Sequence, residues 1–296
     1  MNISSSSTPA HERALVLGGG GATGNAWLIG VIAGLFEAGI DVTSPDLTIG
    51  TSAGSTAAAQ LGTASPAELY AAALAPIPPR SAPSGGAPAR PAVSGLQRLT
   101  DLIAVSEDAA DYRRRLSAAA LAQDPADHGA WTERWRAIVG QRLPHATWPE
   151  RAVAITALDA HTGEGVVFDR GSGVGLVDAV AASTSSGLPY RIGDGLFLDG
   201  GFRSNAENAD LAAGYARVLV LAPFGGRSLA PDAWGIRLAD QVDALRAGGS
   251  AVETIFPESE ELFGENATDV TLRPAAARAG YEVGRARADD LVPFWD

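Results

Sequence analysis

No cysteine occurs among the 296 residues. Disulfides, thiolate nucleophiles and cysteine-ligated metals are thereby excluded. Lysine is missing as well, because all 22 basic residues are arginine. Compositional bias is the simplest account of that gap, but it removes Schiff-base chemistry and the lysine of a Walker-type phosphate loop. The 4 histidines (His11, His128, His145 and His161) are scattered, so no metal site is expected. No apolar run reaches the ~20 residues that span a bilayer. The leading MNISSSSTPA lacks the basic and apolar regions of a secretory signal, and a cytoplasmic location is expected. Cationic surface is scarce, at a net charge of −12 and a pI near 4.8. A nucleic-acid partner, which needs positive charge to displace counterions, is excluded. Charged residues make up only 19% and hydrophobic ones 46%, which argues against extensive disorder and for a sizeable core.

What is present follows a clear grammar. Residues 1–12 are polar and Ser-rich and are expected to be a disordered tail. Ala14-Leu15-Val16-Leu17 is a short apolar run of buried-strand type, ending in a glycine loop that reaches Gly24. Apolar residues then recur at helical spacing to Ala38, with Gly39 at the C-cap position. Asp46–Ile49 is a second strand, followed by Gly50-Thr51-Ser52-Ala53-Gly54 and an Ala-rich helix to Leu61. Strand, glycine turn and helix, repeated, predict an α/β domain with a parallel sheet. Residues 75–95 are rich in Pro, Gly and Ser and are expected to be a mobile loop. Segments 96–122 and 131–143 are amphipathic and helical, with Trp131, Trp135 and Trp148 read as packing residues and Arg113-Arg114-Arg115 as a solvated face. Strands are expected at Ala152–Leu158 and Val166–Phe168, a helix at Val177–Ala182, and a hairpin pairing Tyr190–Ile192 with Leu196–Leu198. A helix over Ala206–Ala213, a strand at Val218–Leu221, a helix at Ile236–Ala247, a strand at Ala251–Phe256 and a helix from Arg273 complete the pattern. With no repeat and no second core, residues 13–296 form one domain with an inserted helical cap. The motifs fall within 14–222, and 223–296 is a C-terminal extension.

Gly50-Thr51-Ser52-Ala53-Gly54 is a G-x-S-x-G pattern between strand and helix. Small flanking residues permit the strained turn that raises a serine hydroxyl above a sheet edge. The usual assistant is histidine, yet no histidine follows His161, so the α/β-hydrolase order Ser, Asp, His is unavailable. A carboxylate must then serve as base. Asp199 is the strongest candidate, because it ends a strand and Gly200-Gly201 follow it. Asp194 precedes Gly195 in a hairpin turn, a role Asp-Gly fills without chemistry, and Asp159 and Asp169 also flank turns. An aspartate with an ordinary pKa near 3.9 is a poor base, so burial must raise it. Gly19-x-Gly21-x-x-Gly24 matches the dinucleotide fingerprint, with Asp41 as the ribose acid. It equally suits an oxyanion hole of unobstructed backbone N–H groups. Acyl transfer, nucleotide-dependent oxidoreduction and a non-catalytic role all remain open at this point.

Taken together, Gly19-Gly20-Gly21-Ala22-Thr23-Gly24, Gly50-Thr51-Ser52-Ala53-Gly54 and Asp199-Gly200-Gly201 resemble the patatin-like phospholipases in order and spacing. Ala152–Phe168, the stretch from Ala182-Ser183 to Pro189, and Asn205 add to the likeness. The resemblance implies a three-layer α/β/α fold with a central, mostly parallel sheet. It implies a lipid acyl hydrolase with no metal or nucleotide cofactor, Ser52 as nucleophile, Asp199 as base, and Gly19, Gly20 and Gly21 as oxyanion donors. Gly24, Gly50, Gly54, Gly200 and Gly201 would support these turns. The substrate would be a lipid or other acyl ester, met by peripheral membrane contact where it is a lipid. The family usually carries Arg or Lys where this chain has Thr23, which takes a cation from the loop but leaves its backbone donors.

Overall fold

In the computed structural model of the chain, residues 11–75, 95–123, 128–259, 261–262 and 264–295 are described. Four parallel pairings build the centre of the sheet. β1 (His11–Leu17) lies between β2 (Leu47–Gly50) and β7 (Tyr215–Leu221), β3 (Val153–Asp159) flanks β2, and β8 (Ala251–Ile255) flanks β7. Three antiparallel strands join at β3: β4 (Gly165–Phe168), and the hairpin of β5 (Tyr190–Ile192) and β6 (Gly195–Asp199). The path runs β5-β6-β3-β2-β1-β7-β8, with β4 paired to β3. The expected α/β architecture with a mostly parallel sheet is the one found. β1 starts at His11, inside the stretch expected to be a tail, because Asp46 Oδ2 accepts the N–H groups of Glu12 and Arg13 at 2.7 and 2.9 Å.

Both faces of the central strands are buried, which is why they read as continuous apolar runs. Leu15, Leu17, Leu219 and Leu221 point into one core, and the alternating Ala14, Val16, Val218 and Val220 into the other. The first core is roofed by α1 (Gly21–Glu37), α2 (Ala53–Leu61), α7 (Leu176–Ser183) and α9 (Arg273–Trp295). The second lies under α8 (Leu238–Ala247). Each fully buried Leu or Ile in them contributes roughly 1.5–3 kcal/mol. α1 and α9 cross closely, because a Cβ on Gly30 or Gly34 would strike the Ala277 or Tyr281 carbonyl of α9.

Between α3 (Pro66–Leu74) and β3 lies an insertion with α4 (Gly95–Ala104), α5 (Ala109–Leu121) and α6 (His128–Gly140). The helix expected over 96–122 is broken in two, because Asp108 caps α5 by accepting the Asp111 N–H. Residues 76–94, most of the expected mobile loop, lie outside the described residues. The three tryptophans pack as expected: Trp135 and Trp148 donate to the Ala181 and Val174 carbonyls, and Trp131 meets Tyr190 edge-on. Arg114 and Arg115 are exposed beside Asp111. Arg113 departs from the solvated reading, since its half-buried guanidinium donates to the Gly163 and Arg203 carbonyls. The helix expected over Ala206–Ala213 shrinks to one 3-10 turn, Ala209–Ala212. Asn205 Oδ1 captures the N–H groups of Glu207 and Asn208, and Asn208 adopts a left-handed φ of 57°. Local side-chain capture of backbone donors competes with a helix here. Among the described residues, no helix is long and apolar enough to cross a membrane.

Candidate active site

The register of β3 brings two distant chain segments together. Gly50 at the end of β2 pairs with Ile155, and Asp199 at the end of β6 pairs with Ala157. β4 covers Ile155–Leu158 on the opposite edge, so β2 and β6 follow one another along the same edge with their C-terminal ends converging. Ser52 leaves β2 in a left-handed conformation, φ 51° and ψ −113°, before α2 begins. That conformation costs a non-glycine residue on the order of 1–3 kcal/mol and persists only where surroundings enforce it. Enforcement is visible: the Thr51 N–H donates to the Leu17 carbonyl at 3.0 Å, and the Ser52 N–H to Ser183 Oγ at 2.9 Å. Gly54 must lack a side chain, because its Cβ would fall on the Leu17 carbonyl oxygen.

Ser52 Oγ donates to Asp199 Oδ2 at 2.8 Å. The other oxygen, Oδ1, accepts the Gly201 N–H at 2.9 Å, and the Asp199 N–H is held by the Ser185 carbonyl. Asp199 is 7% exposed. Burial pushes its carboxyl up to about 6, against the Gly201 N–H and the Ser52 hydroxyl, which favour the charged form.

The glycine loop lies beside this pair, with Ser52 Cβ 3.4 Å from where Gly19 would carry its own Cβ. The Gly19 N–H does not face an open site. It donates to the Ala206 carbonyl at 2.7 Å. Gly20 and Gly21, at the N-cap and first position of α1, occupy the place where helix N–H groups lack an i−4 acceptor. Gly24 closes the first turn of α1 through the Gly20 carbonyl. Thr23 is fully buried, with its hydroxyl 3.5 Å from the Ala267 carbonyl, so no cation approaches from that position.

Four polar residues hold the three motifs together, and of these only Asn205 and Ser183 figure in the sequence likeness, neither with a role. Asn208 Nδ2 donates to Thr51 Oγ1 at 3.0 Å and to the Gly200 carbonyl at 2.9 Å. Thr156 Oγ1 also donates to Thr51 Oγ1, at 2.9 Å. Ser183 fixes the turn at Ser52 as described. Asn205, noted for its position only, donates to the Ile236 carbonyl and stabilises the following turn. Asn208, Thr156 and Ser183 have no local spacing signal, because each acts across the fold. The nucleotide alternative loses its ribose acid. Asp41 lies beyond the far end of α1 and accepts from Thr43, while the end of β2 carries Ser52.

A mostly parallel sheet flanked by helices, with a serine on a strained strand–helix turn hydrogen-bonded to an aspartate, places the chain in the α/β class. Within that class the chain belongs to the patatin-like phospholipase family, whose model matches residues 15–210. Its general class is therefore that of the lipid acyl hydrolases. Among solved structures, VipD from Legionella pneumophila is similar at 13% identity and a TM-score of 0.45, over 96% of this chain and 67% of that one. The type III effector ExoU is similar at 17% identity and a TM-score of 0.33, over 94% of this chain and 54% of that one. No curated protein matches the chain.

Proposed function

We propose that the protein is a serine acyl hydrolase that cleaves a fatty acyl ester through Ser52, Asp199 and an acyl-enzyme. The observation that carries this reading is the 2.8 Å bond from Ser52 Oγ to a carboxylate whose pKa burial lifts to about 6. Ser52 Oγ attacks the ester carbonyl carbon as Asp199 Oδ2 accepts the hydroxyl proton. Negative charge on the carbonyl oxygen is met by the N–H groups of Gly20 and Gly21, while Gly19 holds the loop against Ala206. The proton passes to the leaving alcohol. Asp199 then takes a proton from water, whose hydroxide attacks the acyl carbon, and Ser52 recovers its proton as the fatty acid departs. The acidic chain disfavours electrostatic adhesion to anionic membranes, so contact with a lipid surface would be apolar.

A fluorophosphonate ester probe followed by peptide mapping, with p-nitrophenyl ester hydrolysis across chain lengths, tests the reading. A single adduct on Ser52 together with turnover is expected. An adduct elsewhere, or turnover undiminished in Ser52→Ala, would refute it.

A further inference from the structure

Glu207 is an anomaly beside this site. Its side chain is fully buried, and neither carboxyl oxygen has a hydrogen-bond partner. Its backbone is tied to the neighbouring turns, because the N–H donates to Asn205 Oδ1 at 2.8 Å and the carbonyl accepts from Thr51 Oγ1 at 3.3 Å. The side chain is wedged under the glycine loop. Glu207 Cγ, the Leu221 carbonyl oxygen and Pro223 Cδ all lie 3.2 Å from the point where Gly18 would carry a Cβ. The preceding residue, Ala206, is the acceptor on which the Gly19 N–H hangs.

We propose that Glu207 is a positioning residue that supports the glycine loop only while its carboxyl keeps its proton, so that deprotonation in alkaline solution displaces the loop and switches hydrolysis off. A carboxylate buried without a counter-charge is strongly disfavoured, and such a group stays neutral instead. Burial pushes Glu207 up to about 8, against its own backbone N–H, which favours the charged form. Gly18, Leu221 and Pro223 cluster with its Cγ around one point, Thr51 bonds its backbone carbonyl, and none of these four carries an ionisable side chain. The ionisable groups on its own stretch of chain are Asp199, bonded to Ser52, and Arg203 and Asp210, paired with each other. No neighbouring charge contributes to the shift. Once ionised, Glu207 gains most by reaching water, and moving it drags the Ala206 carbonyl and the loop with it.

The activity half of this inference rests on the serine hydrolase reading, whereas the stability half does not. The full chain and Glu207→Gln are compared, with Glu207→Met as a second neutral variant in case the amide disturbs folding. In the native chain, kcat/KM for a p-nitrophenyl ester should fall about tenfold per pH unit above about pH 8. Both neutral variants, whatever their absolute rates, should lack that fall. The folded state holds a proton that an unfolded glutamate has released, so between about pH 4.5 and 8 native Tm should decline more steeply than that of either variant, which keeps only the Asp199 contribution. Profiles that coincide between native chain and variants would overturn the proposal. If the native chain hydrolyses no ester, the hydrolase reading fails and the positioning role falls with it, while the stability profiles still test the buried proton of Glu207.

Discussion

Asn208 donates through Nδ2 to Thr51 Oγ1 at 3.0 Å, across 157 residues of sequence, and the same amide nitrogen holds the Gly200 carbonyl. One side chain thus fastens the serine turn to the aspartate turn. Asn208→Asp keeps the shape and tolerates the left-handed backbone but offers oxygen where both partners need a donor. The buried groups left unsatisfied should cost about 1–3 kcal/mol each. Urea denaturation should show the lost stability, and ester turnover should fall with it. A variant of native stability and rate would show that the two turns are positioned independently of this contact.

Removing either member of the pair should leave the fold intact while stopping chemistry. Ser52→Ala deletes the nucleophile, and Asp199→Asn retains a hydrogen-bond acceptor but cannot take a proton. Loss of a general base typically costs about 10²–10⁴-fold in rate, and residues acting as one unit do not add. The double variant should therefore be no slower than the worse single one. Purely additive losses would mean that the two side chains act in separate steps.

The strands, the hairpin and the three glycine motifs could be read from sequence, because buried parallel strands leave uninterrupted apolar runs and tight turns demand glycine. That Ser52 and Asp199 touch was not legible in the same way. It depends on β2 and β6 meeting end to end along one edge of β3, which is a matter of register. Nor could the sequence announce the contacts of Asn208, Thr156 or Ser183, whose partners lie far along the chain. The helix expected at Ala206–Ala213 failed because helical periodicity cannot weigh the Asn205 side chain, which takes two backbone donors out of the helix. Gly19 looked like its neighbours in sequence, and only the approach of Ala206 separates it from Gly20 and Gly21.

Gly54→Ala tests the serine turn with a single methyl group. The added Cβ meets the Leu17 carbonyl oxygen, which already accepts the Thr51 N–H, so neither backbone can yield freely. Overpacking of this kind costs about 1–3 kcal/mol or more. A lowered Tm and a loss of probe labelling at Ser52 should appear together. Native labelling in this variant would mean that the turn has slack the structure does not show.

The pKa of Asp199 ties activity and stability to the same protonation with opposite signs. As base, Asp199 must be ionised, so kcat/KM should fall about tenfold per pH unit below about 6. An acid limb near the ordinary carboxylate value would mean that a different, solvated group titrates. Stability runs the other way. The folded value is raised above the unfolded 3.8, so the folded state binds the proton more firmly. Its stabilising contribution is complete below about 3.8 and is lost as pH rises through about 6. The difference of roughly two units corresponds to about 3 kcal/mol. Asp199→Asn carries no charge to bury, so at pH 8 it should unfold at a higher temperature than the native chain while being far less active. A calorimetric Tm equal to or below the native value at pH 8 would show that the buried charge is better compensated by Gly201 and Ser52 than its surroundings indicate.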